Sequence, residues 1–263
     1  MKKIDWNSVI PYLYVSLISV IILVPFSVTF YRSLISPQGT LTLSNYLRMA
    51  GIFWPKVWLS AYLALITVVL DLILAIPAAY AIVRYNFKGK KLILTLLTAV
   101  WYVPGISYAL ALILSFYMLY KFCLSIWGFI FTYTTGFLPI MLLSCIVAFK
   151  QLETSYEEAS LCLGANKLKT FIYVVLPLIG PGISSGILLA FVLSFNEFIT
   201  AFLLAAPTGI ETAPVKVFDD IAHAGMHSFV AAEASILQII SIVICFIYLK
   251  VIGSRYLRGT VLI

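Results

Sequence analysis

Acidic and amide side chains inside long apolar stretches are the residues of this sequence whose types could do chemistry. Asp71 stands alone in one stretch, whereas Asn196 and Glu197 are adjacent in another, where Ser194 and Thr200 extend them into a polar belt. An acid at the centre of a bilayer costs about 2.5–3.5 kcal/mol on insertion scales, so each carboxyl group must face protein or water. Two interpretations stay open at each position. Asp71 either belongs to a pathway or partner contact or forms a buried structural hydrogen bond to a neighbouring helix. Asn196 and Glu197 either line a cation pathway or gate or pack as polar groups between helices.

Two histidines four residues apart, His223 and His227, could hold a metal ion on one face of a helix. Asp219 and Asp220 come just before them, but the stretch lacks the glutamate of a zinc protease and shows no further ligand. We therefore expect an exposed helix in a loop here, without a metal site.

Catalytic signatures are missing from the sequence. It contains no G-x-S-x-G serine motif, no H-E-x-x-H zinc motif and no G-x-x-x-x-G-K-[ST] phosphate loop. The pattern predicts a chain that is not an enzyme and binds no cofactor itself. If the chain moves a solute uphill, the energy must come from another chain or from an ion gradient.

The composition indicates which elements position these residues. Of the 263 residues, 63% are hydrophobic and 10% are charged, and the mean hydropathy is +1.09. A soluble domain carries about 25% charged residues, whereas apolar runs of about 20 residues can cross the bilayer as helices. The sequence predicts an all-α polytopic membrane protein in a lipid bilayer. Its net charge of +7 points to loop orientation rather than to nucleic acid.

Six membrane spans are predicted, and four residues, 120–123, join the third and fourth as a tight hairpin. The spans cover residues 9–31, 57–83, 92–119, 124–149, 178–204 and 229–252. We divide the chain into an N-terminal helix with an outward loop (1–56), a five-helix core (57–252) and a tail (253–263).

Prolines are predicted to interrupt three of these spans, at Pro77, Pro104 and Pro181. Such breaks survive where neighbouring helices or a water-filled cavity satisfy the freed backbone groups. Gly182 and Gly186, four residues apart, would allow another helix to approach closely.

Lysine and arginine residues set the predicted orientation. Twelve of the 17 lie on one side of the spans, and the positive-inside rule places that side in the cytoplasm. Both termini and the loop 150–177 are then cytoplasmic, while the loops 32–56 and 205–228 face outward. Tryptophans near the span ends, Trp101 among them, are typical of an interfacial aromatic belt, and stacking onto a ligand is the minor alternative.

The polar loop between spans four and five has the pattern of two short helices. Ser155 and Glu158 fit a capping box at a helix start, and Gly164 can end that helix in a left-handed conformation. Asn166 can cap a second helix, and Pro177 marks the start of a new membrane span. We interpret this loop as a docking element for a partner protein.

The spacing within this loop resembles the EAA loop of binding-protein-dependent ABC importer permeases, which reads E-A-A-x-x-x-G, nine residues, then I-x-L-P. The matching residues are Glu158, Ala159, Ser160, Gly164, Val174, Leu176 and Pro177. Ser160 replaces the second alanine and Val174 replaces isoleucine, both with little change in size. Residues 75–91, 103–106 and 176–198 further resemble the second permease subunit of spermidine/putrescine importers.

The resemblance implies a type I importer permease (MetI-like) fold in a bacterial cytoplasmic membrane. Such permeases pair with a second permease subunit, often non-identical. They work with two ATP-binding subunits, which hold ATP and Mg²⁺, and with an extracytoplasmic solute-binding protein. The residues that would couple this chain to the ATPase are Glu158, Ala159, Ser160, Leu161, Leu163, Gly164, Leu168 and Pro177.

The solute is the least determined part of the prediction. Asp71 and Glu197 suit a polyamine or a similar small organic cation. The same machinery in related importers carries phosphonate, ferric iron, opine-like compounds or sugars, and these stay open. An ion-coupled secondary transporter is the alternative of another class, but it would usually need more helices, internal repeats and more membrane acids.

Overall fold

The computed structural model describes residues 6–36, 38–49, 51–117 and 125–250. Regular structure in these ranges is helical, apart from one isolated antiparallel bridge between Ile35 and Leu41. The α-helices are α1 (Trp6–Ser33), α2 (Ser44–Met49), α3 (Trp54–Arg84), α4 (Lys90–Ala99), α5 (Gly105–Tyr117), α6 (Ile126–Gln151), α7 (Ser155–Cys162), α8 (Lys167–Thr170), α9 (Leu176–Phe195), α10 (Ile199–Thr208), α11 (Ala213–Ala224) and α12 (Ser228–Tyr248).

Five helical segments are long and apolar enough to cross a membrane: α1, α3, α6, α12 and the continuous run Lys167–Phe195. A sixth span is a bent pair, in which α4 and the 3₁₀ turn Val100–Tyr102 meet α5 at an angle of 107°. The all-α fold with six spans is therefore confirmed when this pair counts as one span. The predicted hairpin at 120–123 and the tail at 253–263 lie outside the described residues.

The prolines behave differently from one another. Pro104 stands at the break before α5, as predicted, and its carbonyl accepts the first bond of that helix from the Tyr108 amide at 2.9 Å. The prediction that Pro77 and Pro181 interrupt their spans is wrong, because α3 and α9 continue through them. Proline removes one backbone donor per site, which a long, well-packed helix can tolerate.

The fifth span begins and ends earlier than predicted. Its helical run starts at Lys167, passes through a π-helical turn at Phe171–Val175 and ends at Phe195. Pro177 therefore lies within a continuous helical run and does not begin a separate one. Asn196 and Glu197 lie in the break between α9 and α10, rather than inside a helix as predicted.

Chain contacts divide the molecule into two compact units, the first reaching to Pro55 and including Lys216–Ile240, the second comprising Lys56–Val215 and the residues from Ser241 on. In the first unit, the Tyr46 hydroxyl bonds the Ser33 and Ser235 hydroxyls at 2.6 and 2.8 Å.

In the second unit, the most extensive contact between helices joins α6 and α9. A Cβ atom on Gly182 would lie 2.6 Å from the Ala148 Cβ, and one on Gly186 would lie 2.7 Å from the Ser144 Cβ. Both distances are shorter than side chains can adopt, so the predicted close approach at this glycine pair is confirmed. The second unit contains both regions described next.

Candidate functional site

The first region is the loop between α6 and α9, whose helix α7 ends as the sequence predicts. Gly164 adopts a φ of 87°, and its amide bonds the Leu161 carbonyl at 3.0 Å while the Ala165 amide bonds the Ser160 carbonyl at 3.2 Å. These two bonds form a Schellman motif, which satisfies carbonyls that a helix end would leave free. A side chain at position 164 would be strained in this conformation.

The predicted capping box at the start of α7 is wrong. Thr154 precedes the helix with helical dihedral angles, φ −65° and ψ −22°, and no side chain caps the helix start. A capping residue needs an extended backbone, and Ser155 is already the first helical residue. Its hydroxyl instead donates to the Glu153 carboxylate at 3.2 Å, which leaves the exposed carboxylate of Glu158 available to a partner.

The second short helix, α8, is capped as predicted. The Asn166 Oδ1 accepts a hydrogen bond from the Lys169 amide at 2.8 Å. The Ser160 and Thr170 hydroxyls lie 3.0 Å apart and tie the two short helices together. The loop is thus a fixed pair of helices.

The surface of this pair is more apolar than a water-exposed loop needs. The side chains of Leu161, Leu163 and Leu168 are 42%, 89% and 66% exposed. Ala159 is exposed as well, and so is Pro177 on α9. Three exposed leucines thus lie on, or directly after, the two short helices.

Sequence analysis missed the contact that holds α7 against α3. The Arg84 Nε donates to the Glu157 Oε1 at 2.8 Å, and the Arg84 Nη2 lies 2.7 Å from the same oxygen. The Tyr80 hydroxyl donates to the Glu157 Oε2 at 3.1 Å, and the Arg84 Nη2 donates to the Leu152 carbonyl at 3.0 Å. Both charged side chains are 14% exposed. No sequence signal links residues 73 positions apart.

The second region is a cavity of about 230 Å³ beside the breaks in two spans. Glu197 and Thr200 line it, and the Glu197 Oε1 accepts hydrogen bonds from the Thr200 amide at 2.9 Å and the Thr200 hydroxyl at 3.0 Å. Glu197 therefore supports the start of α10, while its carboxylate lines the cavity. The other lining residues are Val100, Trp101, Val103, Gly105, Tyr108, Thr132, Tyr133, Gly136, Phe137 and Ile199.

Four aromatic residues share this cavity with the acid: Trp101, Tyr108, Tyr133 and Phe137. Trp101 donates from its Nε1 to the Gly136 carbonyl at 2.9 Å, and the Tyr108 hydroxyl donates to the Thr132 carbonyl at 2.9 Å. Tyr133 is almost fully buried behind them. Sequence analysis assigned Trp101 to an interfacial belt, because nothing local indicates that the bent span brings it beside Glu197.

The other predicted pathway residues do not line the cavity. The Asn196 Nδ2 donates to the Val192 carbonyl at 2.8 Å and the Ser241 hydroxyl at 3.0 Å. Ser194 is buried, and its hydroxyl has no hydrogen-bond partner among the described residues. Asp71 is 0% exposed, and within the described ranges neither of its carboxylate oxygens has a partner.

The histidine pair differs from its sequence pattern. His223 lies on α11 and contacts the Asp219 carboxylate at 3.2 Å, while Lys216 pairs with Asp220 at 2.6 Å. His227 follows Gly225, whose φ is 80°, and lies beyond the end of α11. The two imidazoles therefore do not share one helical face, and Asp219 and Asp220 already have basic partners.

The family of the chain follows from comparison with known proteins. The profile of the binding-protein-dependent transport system inner membrane component family matches residues 71–258. The chain belongs to this family. The match covers α3 from Asp71, the loop with its short helices, the cavity and α12.

Curated relatives of the chain include permeases for different solutes. The spermidine/putrescine transport system permease protein PotC of Escherichia coli is 30% identical over 63% of this chain, which spans 61% of that protein. The putrescine permease protein PotI of the same organism is 34% identical over 57% of this chain and 55% of its own length. The trehalose permease protein SugB of Mycobacterium tuberculosis is 29% identical over 85% of this chain and 83% of its own length. The chain thus spans about three fifths of the polyamine permeases it matches.

Solved structures confirm the fold. A chain of the methionine ABC transporter MetNI in inward-facing conformations matches with a TM-score of 0.65 and 15% identity, over 79% of this chain and 97% of that one. A chain of a bacterial ABC transporter involved in alginate import matches with a TM-score of 0.69 and 18% identity, over 97% of this chain and 98% of that one.

Proposed function

We propose that the chain is the permease subunit of an ATP-driven ABC importer in a bacterial cytoplasmic membrane, and that its solute is a small organic cation such as a polyamine. A second permease subunit completes the pathway, two ATP-binding subunits dock beneath it, and an extracytoplasmic binding protein delivers the solute. Membership of the permease family supports the general role, and the cavity supports the choice of solute.

The observation that carries the solute proposal is the meeting of one carboxylate with four aromatic residues. Glu197 lines the cavity with Trp101, Tyr108, Tyr133 and Phe137. The faces of aromatic rings attract cations, by about 2 kcal/mol or more where water is excluded. A carboxylate on the same wall adds the opposite charge. An alkylammonium group is the ligand that uses both.

The coupling proposal depends on the cytoplasmic loop. The carboxylate of Glu158 is exposed on α7, and the exposed side chains of Leu161, Leu163 and Leu168 lie on α7, directly after it and on α8. A cleft on the ATP-binding subunit would cover the leucines and pair a basic side chain with Glu158. ATP and Mg²⁺ are then held and used by that subunit, and this chain responds to its movement.

A sugar is the second candidate solute. The match to the trehalose permease extends over 235 residues, more of this chain than the matches to the polyamine permeases. Aromatic rings with polar groups, such as Trp101 and Tyr108, also suit a ligand that is part apolar and part hydroxylated. The two candidates differ in charge, which makes them separable.

Uptake by intact cells tests the proposal. Cells that express the chain with its neighbouring transport genes are given radiolabelled spermidine, putrescine or trehalose, with and without vanadate. We expect vanadate-sensitive uptake of a polyamine, and an ATP-binding subunit that co-purifies with the tagged chain. Trehalose uptake alone would favour the sugar, and uptake driven by an ion gradient without a bound ATPase would contradict the importer.

A further inference from the structure

Two consecutive glutamates on α7 face opposite surroundings. The side chain of Glu157 is 14% exposed and lies against the end of α3, while Glu158 is exposed. Neighbouring residues on an α-helix point about 100° apart. One helix can therefore direct one acid toward the end of α3 and the next acid toward a partner. The family pattern includes Glu158 and does not include Glu157.

The contacts of Glu157 use both of its oxygens. Arg84 bonds one oxygen through Nε and Nη2, and the Tyr80 hydroxyl bonds the other. Charge-assisted bonds of this kind are shorter and stronger than neutral ones. Arg84 Nη2 also donates to the Leu152 carbonyl, and this bond fixes the chain just before α7.

The aromatic ring of Tyr80 connects this contact to two more elements. Its centroid lies 5.5 Å from that of Phe149 on α6 and 5.5 Å from that of Phe171 in the π-helical turn. Tyr80 thus touches both chain segments that flank the short helices. Arg84 and Tyr80 lie one turn apart on α3, which makes the end of α3 the common support.

The other half of α3 packs beside the cavity. Leu63 is fully buried in a cluster with Tyr133 and Ala201, and Tyr133 lines the cavity. Arg84 lies 21 residues from Leu63 along one unbroken helix, or about 30 Å at about 1.5 Å per residue. A displacement of the Arg84 end therefore reaches the cavity wall through a single rigid element.

We propose that Tyr80, Arg84 and Glu157 form a joint through which movement of α7 is passed to α3 and the cavity. This inference rests on the proposed function, because it assumes that an ATPase moves α7. The helix has eight residues and is followed by Gly164, so without the joint its movement would be taken up by the flanking turns. The three residues are positioning residues and contact no solute.

Labelling of a cavity cysteine tests the joint without knowledge of the solute. Ile199→Cys is introduced into the cavity wall of a chain whose native cysteines are replaced, and the intact transporter is purified with its partner subunits. The rate of reaction with a small water-soluble maleimide is measured without nucleotide and with ATP plus vanadate. The variants are Glu157→Gln, Arg84→Lys and Tyr80→Phe, with Glu153→Gln as the matched control on the same loop.

We expect the nucleotide-dependent change in labelling to fall by about tenfold in Glu157→Gln, a size typical of coupling between sites. Arg84→Lys keeps the charge but loses the planar guanidinium fork. The change in labelling should fall less in this variant and in Tyr80→Phe than in Glu157→Gln. Glu153→Gln should respond like the parent protein. ATP hydrolysis and the amount of bound ATPase should stay unchanged in all four, which a general loss of structure would not allow.

An unchanged labelling response in Glu157→Gln, with the ATPase bound, would overturn the joint. If Glu157→Gln does not assemble, Tyr80→Phe decides, because it keeps both charges and removes one hydroxyl; a response equal to that of the parent would again overturn the proposal. A parent protein that binds no ATPase would instead contradict the proposed function, and the joint with it.

Discussion

The loop between α6 and α9 and the cavity beside Glu197 are built in opposite ways. The loop forms its surface from one short stretch, in which Gly164 closes the end of α7 and Asn166 caps the start of α8. The cavity gathers side chains from separate spans, Trp101 and Tyr108 beside the bend, Tyr133 on α6 and Glu197 after α9. A docking surface can thus be local, whereas a solute cavity depends on the packing of several helices.

Besides α3, a second element connects the two regions. The helical run Lys167–Phe195 has 29 residues, or about 43 Å at about 1.5 Å per residue, and ends directly before the Glu197 break. It starts at the capped helix α8. Variants that disturb this run, the loop or the cavity should therefore differ in what they lose: stability of the protein, binding of the ATPase or uptake of the solute.

The largest effect is expected at the contact of α9 with α6. Gly182→Val places a branched side chain where a Cβ atom would already lie 2.6 Å from the Ala148 Cβ. Overpacking of this kind destabilises by about 3 kcal/mol. The purified protein should therefore unfold at a clearly lower temperature in detergent and lose both ATPase binding and solute uptake. Gly180→Val, where no atom lies within 4 Å of an added Cβ, is the control; equal losses in both would mean that helix propensity alone decides.

The next effect separates the loop from the cavity. Glu158→Lys reverses the exposed charge on α7, and loss of a charged interface contact typically costs about 2–5 kcal/mol. The ATP-binding subunit should no longer co-purify and uptake should stop, while the variant still inserts into the membrane. Glu153→Lys, which reverses the charge of another exposed acid nearby, is the control. Normal uptake and a bound ATPase in Glu158→Lys would exclude this surface as the docking site.

A smaller and more selective effect is expected in the cavity. Glu197→Gln removes the charge but keeps an oxygen that can accept the bonds of Thr200. Uptake of an organic cation should fall at least about tenfold, since a hydrogen bond to a charged group is worth about 1.5–3 kcal/mol, while ATPase binding stays normal. Glu211→Gln, which removes the partner of Lys56, is the control. Unchanged spermidine uptake in Glu197→Gln would remove this acid from the pathway.

The smallest effect tests the cap of α8. Asn166→Ala removes the acceptor for the Lys169 amide, and such losses cost about 1 kcal/mol. We expect weaker retention of the ATPase in a salt series and uptake that is reduced but measurable. Asn166→Asp, which keeps the acceptor, should behave as the parent; a full loss with aspartate would show that the amide has another role.

The sequence predicted the parts of this molecule that depend on neighbouring residues. Hydropathy located the spans that became α1, α3, α6 and α12, because each is one uninterrupted apolar helix. The left-handed Gly164 and the Asn166 cap were predicted because each acts within one turn. The break at Asn196 was not predicted, since polar residues within an apolar run fit the polar face of a continuous span as well as they fit a break.

What escaped prediction depends on contacts between distant residues. The Arg84–Glu157 pair joins positions 73 residues apart, and Trp101 meets Glu197 because the third span bends by 107°. Ser155 fitted a capping pattern, but the preceding Thr154 is already helical, so local chemistry did not decide. The buried Asp71 was correctly placed away from lipid, since it is 0% exposed, but sequence gives no sign of what it serves.

The π-helical turn at Phe171–Val175 sets the rotational phase between α8 and α9. A π turn holds one residue more than an α turn in the same hydrogen-bonded loop, and one residue corresponds to about 100° of rotation about the helix axis. Removal of one residue there would rotate Leu168 and the rest of α8 by roughly that angle relative to the glycine face of α9. The single extra residue thus sets the direction in which the docking surface faces when Gly182 and Gly186 are seated against α6.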